Sequence, residues 1–200
     1  MTYLFNPPAI VSLPIRGSDA RFPVGRVFCL GRNYPWPESY GAAPQEPVFF
    51  MKPASNVVEA LGELPFPPQT DEFCHEVELV AAIAKGGANI ASEHALEHVF
   101  GFAAGLDMTR RDHQRKAKAE GLPWEGAKVF EASAPMTAIV PASECDWPLD
   151  ASLWPTRQKH CAACVRRSLR HSRNNGSTEY FQLEGKNDHP ARDPTHELLR

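Results

Sequence analysis

The 200-residue chain has no apolar run approaching the roughly 18 residues of a membrane-spanning helix, so no bilayer span is expected. Its start, MTYLFNPPAIVSLPIRG, lacks a basic stretch followed by a continuous apolar core, which argues against a secretory leader. Excess charge of either sign is small. With 21 basic and 24 acidic residues the net charge is -3, too little to imply a nucleic-acid or membrane-surface partner. Five scattered cysteines do not make a disulfide framework, and a cytoplasmic protein is expected.

The last part of the chain is short of aliphatic residues. Residues 156–200 carry 9 basic and 5 acidic groups, against 12 and 19 in residues 1–155. Stretches such as RRSLRHSRNNGS show neither strand nor helix periodicity, and such text buries too little apolar surface to offset the entropy of ordering. The expected organisation is one domain over residues 1–153 and a basic, poorly ordered tail over 154–200. HCAAC at 160–164 has a C-x-x-C, but no second cysteine pair follows to complete a zinc module.

What is present is a series of short apolar runs punctuated by proline. RVFCLGRNY and PVFFMKP read as strands, and HEVELVAAIAK is the clearest one. FGFAAGLD reads as a strand delivering Asp107 at its end. SEHALEHVFG is expected to be a short helix capped by Ser92, and TRRDHQRKAKAEG a longer one capped by Thr109 and closed by Gly121. AKVFEASAPMTAIVP returns to strand, placing Lys128 at its start. The expected fold is α+β and mostly β, without parallel βαβ repeats.

Glu76 and Glu78 interrupt the apolar strand. Residues two apart project from one strand face, about 7 Å apart along the chain. Two readings fit: a solvated sheet face, or one wall of a site for a hard divalent cation, with Asp107 completing an oxygen set. Asp107, Arg111 and Gln114 are spaced to share one helix face if the helix begins near Asp107. With Lys128 they would cradle an anionic, oxygen-rich ligand; alternatively Arg111, Arg115 and Lys118 are the wet side of an amphipathic helix.

The motifs GRNY (31–34), EPVFFMKP (46–53), HEVEL (75–79), GLDMTRRDHQ (105–114) and GLPWEGAKVFEASAP (121–135), taken in order, resemble the fumarylacetoacetate hydrolase family. The N-terminal region is most similar to members acting on fumarylpyruvate and related acylpyruvates of aromatic catabolism. The resemblance implies a mixed β-sandwich roll, a homodimer, and Mg²⁺ or Mn²⁺ held by Glu76, Glu78 and Asp107. It implies substrate contacts from Arg111, Gln114 and Lys128, with Glu76 and Lys128 central to catalysis. The implied reaction is hydrolytic C–C cleavage of a small β-diketo acid. Tautomerisation or decarboxylation of a β-keto acid is the alternative, and a non-catalytic remnant a third reading.

Two departures stand out. Family hydrolases carry a His shortly after GRNY and an acid three residues on, as a water-activating pair; here Pro37 and Tyr40 stand there, with Glu38 out of step. The tail has family-like islands, LDASLWP and STEYFQLE, set in unrelated basic text, which is the pattern a shifted reading frame would leave. The roll is therefore expected to be incomplete at the C-terminus.

Overall fold

The computed structural model describes residues 2–31, 48–145, 152–153, 160–161 and 179–184. Its strands, in chain order, are β1 (Ser12–Pro14), β2 (Arg21–Pro23), β3 (Arg26–Gly31), β4 (Val48–Pro53), β5 (Val57–Glu59), β6 (Phe73–Cys74) and β7 (Val77–Ile83). They continue as β8 (Val99–Leu106), β9 (Thr109–Arg110), β10 (Ala134–Met136), β11 (Val140–Pro141), β12 (Ser152–Leu153), β13 (His160–Cys161) and β14 (Glu179–Glu184). The helices are α1 (Arg111–Glu120) and α2 (Glu125–Lys128).

An eight-stranded mixed sheet dominates, in the order β4-β3-β14-β7-β8-β10-β5, with β11 added beside β8. Most neighbours are antiparallel; β14 runs parallel to β3 and β10 parallel to β5. The mostly-β expectation holds, and the reason is visible in β7. All its residues are buried, so it reads as a near-continuous apolar run rather than an alternating one. Val80 and Ala82 join a large core with Leu13, Val27, Val57 and Ile139, while Leu79, Ala81 and Ile83 join a second one with Leu30 and Phe102.

Several local expectations are corrected. The longer helix starts at Arg111, not near Asp107, because the bond that would open it is not made: the Asp107 carbonyl accepts from Glu76 N–H at 3.1 Å and Arg111 N–H donates to Glu72 O at 2.7 Å. Asp107 N–H donates to Glu76 O at 2.8 Å, Met108 N–H to Ser133 O at 3.0 Å, and Thr109 pairs with Cys74 across β9 and β6. Thr109 therefore does not cap the helix; Arg110 occupies that position with no side-chain cap bond. Gly121 does close it, in the left-handed region at φ 66°. The segment after Ser92 is a 3-10 helix, Ser92–His98, preceded by Ala91, and the Ser92 hydroxyl bonds Glu93 instead. Lys128 ends the short helix α2 rather than starting a strand, since its N–H donates to Trp124 O at 3.0 Å.

Most of 154–200 lies outside the described residues. Its described segment β14, from the island STEYFQLE, pairs with β3 over Glu179–Leu183 and with β7 over Glu179–Glu184. A strand from the expected tail thus occupies the middle of the main sheet. Pro37, Glu38 and Tyr40, at and around the place of the water-activating pair, lie outside the described residues.

Candidate metal centre

The site forms where β7 and β8 converge. Glu76 immediately precedes β7 and Asp107 immediately follows β8, and the two exchange backbone hydrogen bonds, Glu76 N–H to Asp107 O at 3.1 Å and Asp107 N–H to Glu76 O at 2.8 Å. Residues directly opposite in an antiparallel ladder share a face, and like charges there repel. Glu78 continues that face one pleat further on, opposite Gly105. A side chain at Gly105 would meet Val80 Cγ2 at 2.7 Å, so the position takes a residue without one. Glu76, Glu78 and Asp107 are all buried, and one ligand oxygen from each lies within 4.8 Å of the others.

Three buried carboxylates so close require positive charge. Lys128 reaches in from α2 and is fully enclosed, donating to Glu76 Oε2 at 2.7 Å, to Thr109 Oγ1 at 2.7 Å and to Asp107 Oδ2. Arg111, in the first turn of α1, donates to Glu76 Oε1 and to Gln114 Oε1, both at 2.5 Å. Lys52 enters from β4 and pairs with Asp107 Oδ1 at 3.0 Å. Among the described residues, three carboxylates thus face three cations. Burial alone would raise the Glu76 pKa, but the charges of Lys128 and Arg111, with their hydrogen bonds, outweigh it and hold the group at about 2. Burial likewise opposes the Arg111 charge, and Glu76 more than compensates.

The structure brings all six sequence-selected residues, Glu76, Glu78, Asp107, Arg111, Gln114 and Lys128, to one place. Arg115 and Lys118, weighed with Arg111 as a wet helix face, do not join them: Arg115 is 62 % exposed and pairs with Glu72 at 2.5 Å. Two participants escaped sequence reasoning. Thr109 was assigned to a cap, and Lys52 sat unassigned in PVFFMKP. A signal for Lys52 did exist, because it falls in step with Val48 and Phe50 on the inward face while Phe49 and Met51 point out. A cation in phase with buried apolar residues requires an anionic partner.

The donor set suits a hard divalent ion. Oxygen-only carboxylate ligands are those preferred by Mg²⁺ and Mn²⁺, and three of them could hold such a cation while leaving positions for a ligand. Beside the site a cavity of about 270 Å³ is lined by Val48, Phe50, Leu122, Trp124, Lys128 and Val129.

Comparison with known proteins gives a consistent result. The family described as Fumarylacetoacetate (FAA) hydrolase C-terminal matches residues 26–174, past the expected boundary at 153. The mitochondrial oxaloacetate tautomerase FAHD1 of Arabidopsis thaliana is 37% identical over 141 residues, covering 67% of this chain and 63% of its own length. The oxaloacetate tautomerase YcgM of Escherichia coli is 37% identical over 131 residues, covering 64% and 60%. The chain thus spans somewhat over half the length of these curated relatives. The structure of fumarylpyruvate hydrolase from Pseudomonas aeruginosa in complex with Mn²⁺ and pyruvate is 42% identical, with a TM-score of 0.79 over 90% of this chain and 85% of that one.

Proposed function

The chain belongs to the fumarylacetoacetate hydrolase family, and from that premise we propose that it is a divalent-metal-dependent enzyme cleaving a C–C bond of a β-diketo acid such as fumarylpyruvate or another acylpyruvate. The observation that supports the reading most is the convergence of Glu76, Glu78 and Asp107 within 4.8 Å beside Lys128 and Arg111. The three carboxylates would hold Mg²⁺ or Mn²⁺. When bound, the cation supplies Lewis acidity that favours the enolate of a chelating keto acid.

The chain's own groups do the remainder. Arg111, half-buried and braced by Glu76 and Gln114, presents guanidinium N–H groups suited to a substrate carboxylate. Lys128, locked by three acceptors, fixes positive charge where the enolate develops and is worth more there than in water. The proposal keeps residues 1–153 as the catalytic domain, completed by the strand at 179–184, and includes a cytoplasmic homodimer serving aromatic catabolism.

A second reading, tautomerisation or decarboxylation of a β-keto acid, is favoured by one observation. No histidine occurs before His75, so the segment after GRNY offers none to activate water. Of the described histidines other than His75 and His160, His94, His98 and His113 each engage a ring nitrogen elsewhere, on Glu97, the Lys85 carbonyl and the Gln69 carbonyl. That chemistry needs the cation and Lys128 but no attacking water.

The experiment is turnover of fumarylpyruvate, acetylpyruvate and oxaloacetate with Mn²⁺, with EDTA, and for Glu76→Gln. Hydrolysis that is lost with EDTA and in the variant supports the first reading. Oxaloacetate turnover without hydrolysis replaces it with the second. A chain that shows no activity and no cooperative melt, with or without Mn²⁺, removes both and leaves the remnant.

A further inference from the structure

Lys52 is a fully enclosed lysine on an edge strand of the sheet. Its ammonium group lies 3.0 Å from Asp107 Oδ1 and donates to Met108 O at 3.3 Å and to Lys128 O. The Asp107 contact is an ion pair, the two carbonyls take two of its N–H groups, and the Phe130 ring lies 5.6 Å from the ammonium. Lys52 pairs with Asp107 Oδ1, while Oδ2 faces Lys128. Through the Lys128 carbonyl it also anchors the backbone that carries the second lysine.

We propose that Lys52 is a positioning residue whose charge sets how tightly the Glu76–Glu78–Asp107 triad holds its divalent cation, an inference that rests on the metal reading above. The physical reason is a balance of charge. With Lys52, Lys128 and Arg111 in place, three buried carboxylates are matched by three cations. Neutralising Lys52 leaves one carboxylate uncompensated, and a buried, uncompensated carboxylate gains more from a divalent ion. A unit charge a few ångströms from the triad, at the effective dielectric of buried sites, is large enough that its removal should tighten binding by at least about tenfold. The same removal takes positive charge away from the place where enolate charge develops, so turnover falls as metal affinity rises. A lysine that merely packed would change the melting temperature and leave metal affinity alone. One that only oriented Asp107 would weaken binding when removed, as loss of an outer partner usually does.

The test is an Mn²⁺ titration of the full chain, read by the electron paramagnetic resonance signal of free Mn²⁺, for the parent, Lys52→Met, Lys52→Gln and Lys52→Arg. The expected result is tighter binding in the Met and Gln variants by about tenfold or more, near-parental binding in Lys52→Arg, and a lower kcat in both neutral variants. Neutral variants that bind Mn²⁺ no more tightly than the parent overturn the inference and leave the metal reading intact. A parent that binds no Mn²⁺ removes the metal reading itself. If the neutral variants are unfolded alone, melts at saturating Mn²⁺ decide. Neutral variants that Mn²⁺ drives into a cooperatively melting fold support the inference, and variants that stay unfolded in saturating Mn²⁺ count against it.

Discussion

The molecule carries two clusters of opposite charges a few residues apart in sequence, and they behave as different materials. One is the buried group of Glu76, Glu78, Asp107, Lys52 and Lys128. The other lies on the outer side of α1, where Arg115 pairs with Glu72 at 2.5 Å and Asp112 accepts from the Thr70 hydroxyl at 2.6 Å and the Asp71 N–H at 3.1 Å. Side-chain chemistry and distances are alike; solvent is what separates them. In the outer cluster water screens the Arg115–Glu72 pair, which contributes little, while Asp112 is half-buried against Thr70. In the buried cluster desolvation makes every charge conditional on its partners, so the set stands or fails together. Chemistry that stabilises a developing anion needs the second environment. The helix α1 spans both, with Arg111 facing in and Arg115 facing out.

The sharpest way to break this contrast is Lys128→Met. It leaves Glu76 Oε2 and Asp107 Oδ2 without their shared cation, and stability is expected to fall by about 3–5 kcal/mol, read by denaturant unfolding. In protein kept folded by Mn²⁺, kcat should fall by about 10²–10³-fold. Parental stability in that variant would mean the buried cluster is as loosely coupled as the surface one.

Next in size is Gly105→Ala, which alters the packing beside the cluster and none of its charges. The new methyl would lie 2.7 Å from Val80 Cγ2, and overpacking of this kind costs about 1–3 kcal/mol. An unchanged melt would show that β7 and β8 can separate at the site without penalty.

The surface cluster should yield smaller effects. Burial opposes ionisation of Asp112, but its bonds from Thr70 and from the Asp71 and His113 N–H groups together outweigh it and lower its pKa below 3.8. A carboxyl lowered on folding stabilises the fold above its unfolded pKa and loses that contribution as pH falls through the folded value. Amide protection in the first turn of α1 should therefore weaken only below about pH 3.8, well before the global transition. Protection that is flat down to global unfolding would contradict the assignment. Smallest of all, Arg115→Ala should leave turnover and melting unchanged. A kinetic effect there would place the outer face of α1 in the site after all.

The same contrast explains what could be read from the chain in advance. Glu76 and Glu78 were legible because a strand's two-residue period places them on one face, and Asp107 because an apolar run delivers it. Arg111 and Gln114 were legible from their spacing with Asp107 and Lys128 from its place after the glycine exit, and the family resemblance gave all three their role in substrate contact. The starting point of α1 was not legible, because the Asp107 carbonyl and the Arg111 N–H are claimed by Glu76 and Glu72, and Thr109 by Cys74, partners distant in sequence. For the same reason Thr109 looked like a cap and turned out to hold Lys128. Lys52 was passed over because a lysine in a proline-bounded edge strand is ordinarily a solvated residue. The strand at 179–184 was hidden by the basic text around it, although STEYFQLE itself was recognised; composition averaged over a tail conceals one strand whose partners are β3 and β7.

The most direct test of the central claim is a crystal structure of the chain grown with Mn²⁺, with anomalous data collected at the manganese edge. The expected result is one peak within bonding distance of a carboxylate oxygen from each of Glu76, Glu78 and Asp107, with Lys52 still paired to Asp107. An Mn²⁺-saturated crystal with no peak among these three residues, or with manganese bound only elsewhere, would contradict the account.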